Sequence, residues 1–335
     1  MPRLVGEGRD GWLFLVGGSN DVLSFYRAQD ALSEPELDAW AGLLAQRSMR
    51  LKRSGIDYAH IVAPEKLSVY SEHIEEASID VSRAPSSSLR NRIAVGTREA
   101  GQLLVDAVEA LTIAKTGGHD LYHRTDSHWN ATGCTVVYEA TCRRFDAPVT
   151  LASGRLGEPV RVQMDLGGQV QPPRTEQVQF FHPSSSIHRV HANHLVLYKE
   201  WHDLQNEPGL HAGSHVIYRN PRAPDQRRLL IFGDSFAEYR RNMLTGMLSE
   251  TFHEVHFVWS SQIDWQYVER SKPHVVLTEL SERFMRSLPV DDFDTLAFAT
   301  ARLDSFRASR VGSVGEPDST TDAGGDAVDE DPPGF

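Results

Sequence analysis

Two short stretches, over a hundred residues apart, hold side chains of the types that can share one reaction centre. The first is Gly233, Asp234 and Ser235. Leu229 to Phe232 is an uninterrupted apolar run and reads as a buried strand. Gly233 ends it with a tight turn. Phe236, Met243, Leu244, Met247 and Leu248 then recur at helical spacing, which predicts a helix from Phe236 to Phe252. Ser235 is thus expected where a strand turns sharply into a helix. A hydroxyl at a strand's carboxyl end, near a helix amino terminus, is well placed to act as a nucleophile, because backbone N–H groups can face a developing oxyanion. A plainer reading competes. Ser235 and Glu238 fit a capping box, and Asp234 could itself be the N-cap. Taken alone, these residues favour the cap.

The second stretch is Thr125 to Asn130, with Asp126 and His128 two apart in a loop before a helix. A histidine there can take a serine proton, and the aspartate can hold its tautomer and stabilise the imidazolium. The alternative is a polar loop in which Asn130 caps the helix. A triad needs side chains converging from separate loops, and strand carboxyl ends of one sheet can supply them. Asp126, His128 and Ser235 together therefore carry more weight than either stretch alone.

Other residues offer weaker signals. Tyr239 and Arg240, with Arg241, lie just past Ser235 and could hold an oxyanion or a sugar acid, although a solvated, ion-paired face is the commoner use of such a group. Ser260, Ser261 and Gln262 follow a strand and read as a polar turn. Glu279, Glu282 and Arg283 follow another strand and suit a cleft wall or a structural ion pair. His182, His188, His191, His194, His202, His211 and His215 crowd the middle of the chain. Their spacing matches no helical zinc pair and no cysteine accompanies them, so no metal is expected. Trp201 and Trp259 could stack on sugar rings, with core packing as the default. Cys134 and Cys142 fall on one expected helix, about 12 Å apart at 1.5 Å per residue, too far to bridge. Both should be reduced and buried.

The elements that must position these groups alternate. A strand is expected within Gly11–Gly18, a helix from Ser33 (a capping box with Glu36) to Gly55, a strand over Ile56–Ala63 and a loop over Pro64–Tyr70. The stretch from Ser82 to Ser88 is Ser/Pro-rich punctuation. A helix over Leu89–Ala100, a strand over Gln102–Asp106, a short helix to Lys115 and a helix after Asn130 follow. Residues 148–224 lose helical periodicity and read as an inserted β-rich or loop-rich segment, with β-like pieces at Val160–Met164, His194–Tyr198 and Ser214–Tyr218. Strand–helix alternation then resumes through Leu229–Phe232, His256–Trp259, a helical stretch near Trp265, and Val275–Leu280. A last helix is expected over Asp294–Arg307. Such alternation predicts a three-layer α/β/α, flavodoxin-like domain with a parallel sheet over residues 1–310. The tail, 311–335, holds seven acidic residues and no Lys or Arg, and is expected to be disordered.

Asp126, His128 and Trp129 upstream and Gly233, Asp234 and Ser235 downstream resemble the SGNH-hydrolase-like domain of the alginate acetyltransferase family, whose Asp-x-His-Trp motif lies before the serine. Gly11 to Leu15, Pro64 with Lys66, Val69 with Tyr70, and Glu282 to Phe284 are similar too, in the same order. The resemblance implies an O-acetyltransferase of bacterial exopolysaccharide, with Ser235 as nucleophile, His128 as base and Asp126 as its partner. It implies a carbohydrate acceptor, an acyl donor supplied by a membrane O-acyltransferase, and no cofactor. The Ser235 N–H is one oxyanion donor. The glycine and Gly-x-Asn-Asp blocks that complete the hole in ordinary SGNH esterases are not found. An esterase with the same triad, or a non-catalytic glycan-binding module, are the alternatives.

The net charge of −12 argues against a nucleic-acid partner. No apolar h-region opens the chain and no run reaches the ~20 residues of a membrane helix. As written it is expected to be cytoplasmic, and periplasmic if the family precedent holds.

Overall fold

A computed structural model describes residues 3–18, 20–74, 79–95, 102–151, 155–240 and 242–312. Its strands are β1 (Val5–Glu7), β2 (Leu13–Leu15), β3 (Asp57–Ala63), β4 (Leu104–Val105), β5 (Val160–Val162), β6 (Glu176–Val178), β7 (His188–Ala192), β8 (His215–Arg219), β9 (Asp225–Gly233), β10 (Phe252–Trp259) and β11 (Val275–Ser281). Seven form the central sheet, in the order β4-β3-β11-β9-β10-β8-β7. The run from β4 to β10 is parallel, while β8 and β7 add on antiparallel. All seven residues of β11 are buried, as are Leu229 to Phe232 of β9. A strand buried on both faces must have cover on both, which is why these strands read as unbroken apolar runs.

Local sequence explains several elements. Ser33 and Glu36 form the expected capping box, and Pro35 sits in the first turn of helix Glu34–Arg53. Leu37, Trp40, Leu44, Arg47 and Leu51 form its buried stripe. Gly55 follows at φ +70°, a conformation that L-residues rarely adopt. Asn130 caps helix Ala131–Arg144, accepting from the N–H groups of Thr132 and Gly133. Cys134 and Cys142 are free and buried on that helix.

The structure corrects four expectations. Pro64–Tyr70 is not all loop, because Lys66–Tyr70 is a short helix. His194–Tyr198 is not a strand. It lies in helix His194–Trp201, whose first turn is capped by Asn193 accepting from Val196 N–H. The apolar run Gly11–Gly18 does hold β2, but among the described residues that strand pairs with β1 alone, outside the main sheet. The inserted segment is more closely integrated than its composition suggested, since it supplies β7 and β8 to the sheet itself. A fifth correction, at Ser235, belongs to the site below. The Leu89–Ala100 helix is Pro85–Ala94, and 96–100 lie outside the described residues. The last helix spans Thr295–Gly312, and the tail from 313 onward also lies outside them. Among the described residues no helix is long and apolar enough to cross a membrane.

Candidate active site

Parallel strands deliver their carboxyl ends to one edge. Trp259 is in register with Gly233, and Ser281 with Ala63. The chain leaves β9 at Gly233 and turns at once. Asp234 holds the turn from several sides. Its Oδ1 accepts from Phe236 N–H at 3.0 Å, its Oδ2 accepts from the N–H and hydroxyl of Ser281 at 2.8 and 2.7 Å, and its own N–H donates to Glu279 Oε2 at 2.9 Å. A Cβ on Gly233 would come within 2.8 Å of Glu279 Oε2, so only glycine fits there. Ser235 is left half-buried at the tip.

No helix starts at Ser235. The next one is Leu244–Thr251, and the predicted amino half, Phe236 to Met243, is irregular where described. Two of the carbonyls that would build that half have other partners. Ala237 C=O accepts from both the N–H and hydroxyl of Thr245, and Tyr239 C=O accepts from Tyr218 O–H. Ser235 and Glu238 accordingly form no capping box. Asp234 caps the turn, and Glu238 pairs with Arg240. Helix-dipole support for an oxyanion at Ser235 therefore falls away.

The other loop is a tight hairpin. Tyr122 bridges Trp129, His123 N–H donates to His128 C=O, and Asn130 N–H donates to Leu121 C=O. The Lys66 ammonium donates to the carbonyls of Leu13 and Arg124, tying the loop to β2. Phe236 docks the two stretches together, its ring centroid 4.6 Å from that of His128 and 4.7 Å from that of Trp129. In this arrangement Ser235 Oγ lies 2.8 Å from His128 Nε2, and Asp126 Oδ1 lies 2.7 Å from His128 Nδ1. Asp126 Oδ1 also accepts His128 N–H at 2.8 Å. Burial pulls the His128 imidazole down, but the Asp126 charge and hydrogen bond outweigh it, and Asp165 adds to them, so the net shift is upward from 6.5. Burial pushes Asp126 up, and the charge and hydrogen bonds of His128 bring it well below the usual carboxylate range. One ring nitrogen facing a carboxylate and the other facing a hydroxyl is an arrangement that can carry a proton away from Ser235.

The remaining candidates are placed as follows. The Tyr239 ring is buried against Phe257, with the Lys199 ammonium 5.1 Å from its centroid. Arg240 pairs with Glu238, and its charge reaches Asp126. Among the described hydrogen bonds neither residue meets Ser235. Ser260 N–H donates to Gly233 C=O, and Gln262 N–H to Ser260 Oγ, a polar turn against the strand end. Arg283 makes a two-point ion pair with Glu65 and stands 5.5 Å from the Phe236 ring. Glu282 is buried and accepts from Tyr26, Ser68, Ser86 and the N–H of Glu65. Among the candidate histidines, His191 and His215 join a chain of ring and hydrogen-bond contacts through Tyr267 to His256 and Glu254. His211 stacks on Trp259, while Trp201 stands exposed. Among the described residues, the one group of acids and histidines close enough to hold an ion is Asp126, His128 and Asp165, with ligand atoms within 4.8 Å of one another. Both ring nitrogens of His128 are already engaged there. Asp165, Glu65 and Phe236 were missed as site residues. Phe236 was legible only as helix spacing, and Asp165 lies in the aperiodic segment with no local motif.

Residues 5–162 match the family model described as the SGNH hydrolase-like domain, acetyltransferase AlgX. The AlgX-like assignment is supported over that stretch. It includes Asp126 and His128 and stops short of Asp165 and Ser235. Among solved structures, the O-acetyltransferase domain of Pseudomonas putida AlgJ aligns with a TM-score of 0.54 at 15% identity, over 90% of this chain and 99% of that one. Bacillus cereus PatB1, solved with a sulfonyl adduct, aligns with a TM-score of 0.55 at 14% identity, over 84% and 94%. A DHHW family protein from Eubacterium siraeum aligns with a TM-score of 0.52 at 15% identity, over 74% and 86%. At these identities the likeness is one of fold, and it extends the shared α/β architecture beyond the matched stretch. A comparison with curated proteins finds no match.

Proposed function

We propose that this protein is an O-acetyltransferase that moves an acetyl group through Ser235 onto a carbohydrate hydroxyl. The observation that carries the reading is the line Asp126–His128–Ser235, with contacts of 2.7 and 2.8 Å, at the carboxyl ends of a parallel sheet. The match to the AlgX domain and the fold shared with the AlgJ O-acetyltransferase domain support the reaction and the acceptor class.

In this reading Ser235 Oγ attacks the carbonyl carbon of the acyl donor while its proton passes to His128 Nε2. Asp126 on Nδ1 stabilises the imidazolium. The Ser235 N–H serves as one backbone donor to the oxyanion. The imidazolium then protonates the leaving group, and an acetyl ester remains on Ser235. A sugar hydroxyl loses its proton to Nε2, attacks the ester, and takes the acetyl group. His128 returns its proton to Ser235. The donor is supplied by a membrane O-acyltransferase, and the acceptor is an exopolysaccharide.

The test is incubation with an aryl acetate, with and without polysaccharide fragments, followed by mass spectrometry of protein and sugar. Acetyl on Ser235 and on sugar is expected. A folded protein that gives neither adduct nor turnover would overturn the reading. Release of acetate with no acetylated sugar would make it an esterase.

A further inference from the structure

The catalytic loop is gripped from a segment that the AlgX match does not reach. Residues 165–170 lie beyond residue 162, where that match ends. Leu166 and Val170 are buried against Val5 of β1 and Leu13 of β2, which anchors the segment. From there it makes three hydrogen bonds to the loop. Gly167 N–H donates to Thr125 C=O at 2.8 Å. The N–H and hydroxyl of Ser127 donate to Asp165 Oδ1 and Oδ2 at 2.9 and 2.7 Å. Gly167 has no room for a side chain, since a Cβ would sit 2.3 Å from Arg174 C=O and 3.2 Å from Thr125 Cβ. Ser127 is almost fully buried and stands between Asp126 and His128 in the chain. Its Oγ is also 3.3 Å from His128 Nδ1. Asp165 thus presents a second carboxylate to a histidine that already has one.

We infer that Asp165 is a positioning residue of this site: it clamps Ser127, so fixing Asp126 and His128 over Ser235, and supplies a second negative charge to the His128 imidazolium. The inference rests on His128 being the base. The other titratable and charged groups around His128 are Asp126, Arg124 and His123 on its own loop, Glu176 against His123, Lys66, Arg240, and Arg283 with its partner Glu65. None of these replaces Asp165, because none binds Ser127 in the described hydrogen bonds. The clamp leaves an ion no ring nitrogen to bind, since Asp126 and Ser235 occupy both.

The experiment uses the full chain with Asp165→Asn, Asp165→Glu and Ser127→Ala. The His128 imidazole is titrated by NMR, its signal assigned by loss in His128→Gln, and kcat and KM for an aryl acetate are followed against pH. Asp165→Asn is expected to lower the His128 midpoint by a few tenths of a pH unit, a small shift because Asp165 is exposed and screened. It should lower kcat by about tenfold with little change in KM, as expected of a lost alignment. Asp165→Glu should recover the midpoint, and Ser127→Ala should lower kcat while leaving most of the shift in place. An unchanged midpoint and unchanged kcat in Asp165→Asn would overturn the inference. If that variant does not fold, Ser127→Ala decides, and wild-type kcat there overturns it. A wild-type protein with no turnover would count against the proposed reaction, while the NMR titration still judges Asp165.

Discussion

His128 Nε2 lies 2.8 Å from Ser235 Oγ, although 107 residues of chain separate them. The contact depends on Phe236, which packs on His128 and Trp129 together. If Ser235 is the nucleophile and His128 its base, each is indispensable. Ser235→Ala and His128→Gln are each expected to lower acetyl transfer by about 10⁴-fold or more, with little change in thermal stability. Rates near wild type in folded His128→Gln would exclude the proton relay.

In the proposed reaction the raised His128 sets the pH range. Its imidazole must be neutral to accept the Ser235 proton, and the Asp126 carboxylate holds it protonated to a pH above the ordinary 6.5. The acid limb of kcat/KM should therefore have its midpoint above 6.5, with activity falling as pH drops through it. Stability runs the other way. A raised folded pKa contributes stability that is complete below 6.5 and lost as pH rises through the folded value. A pH–rate profile beside thermal melts at the same pH values checks both signs.

Glu279 is fully buried beneath the Gly233–Ser235 turn and accepts Asp234 N–H. Burial, with the Asp234 carboxylate beside it, keeps its carboxyl neutral well above 4.5. The folded chain then holds a proton that the unfolded chain releases, so this group's contribution falls as pH rises above 4.5. Glu279→Gln should fold normally and gain on the wild type in melts at pH 8 relative to pH 4. Glu279→Ala leaves Asp234 N–H without its acceptor and should cost about 1–3 kcal/mol in denaturant titrations.

Gly233→Ala brings a Cβ within 2.8 Å of Glu279 Oε2 and 3.0 Å of Ala237 Cβ. Overpacking of this kind costs about 1–3 kcal/mol. The turn must shift to relieve it, so kcat should fall more than KM changes, as measured with the aryl acetate.

Glu282 gathers Tyr26, Glu65 with Ser68, and Ser86, from three separate places in the chain, around one buried carboxyl. Glu282→Ala strands these donors and should destabilise by about 3 kcal/mol, while the exposed neighbour control Leu288→Ala should cost under about 0.5 kcal/mol.

Sequence alone determined what is local. The unbroken apolar run Leu229–Phe232 reads as a buried strand, and the alternation around it pointed to the parallel α/β domain seen in β3, β9, β10 and β11. Ser33, Glu36 and Asn130 marked helix starts, because a cap is a contract between residues two or three apart. Asp126, His128 and Ser235 were legible as chemistry by residue type. Tertiary structure decided what depends on distant partners. Phe236 to Met243 has helical spacing, yet Thr245 and Tyr218 draw its carbonyls out of the i to i+4 ladder. His194–Tyr198 is a short, mostly apolar run that reads as β-like, yet it packs as a capped helix whose Leu195 joins Leu210, Ala299 and Leu303 in a separate core. Asp165 carries no motif and gains its place only because Leu166 and Val170 anchor its segment on β1 and β2. Spacing within a stretch reports the period of that stretch. Which serine reaches which histidine is settled by the packing of elements a hundred residues apart, and no local period encodes it.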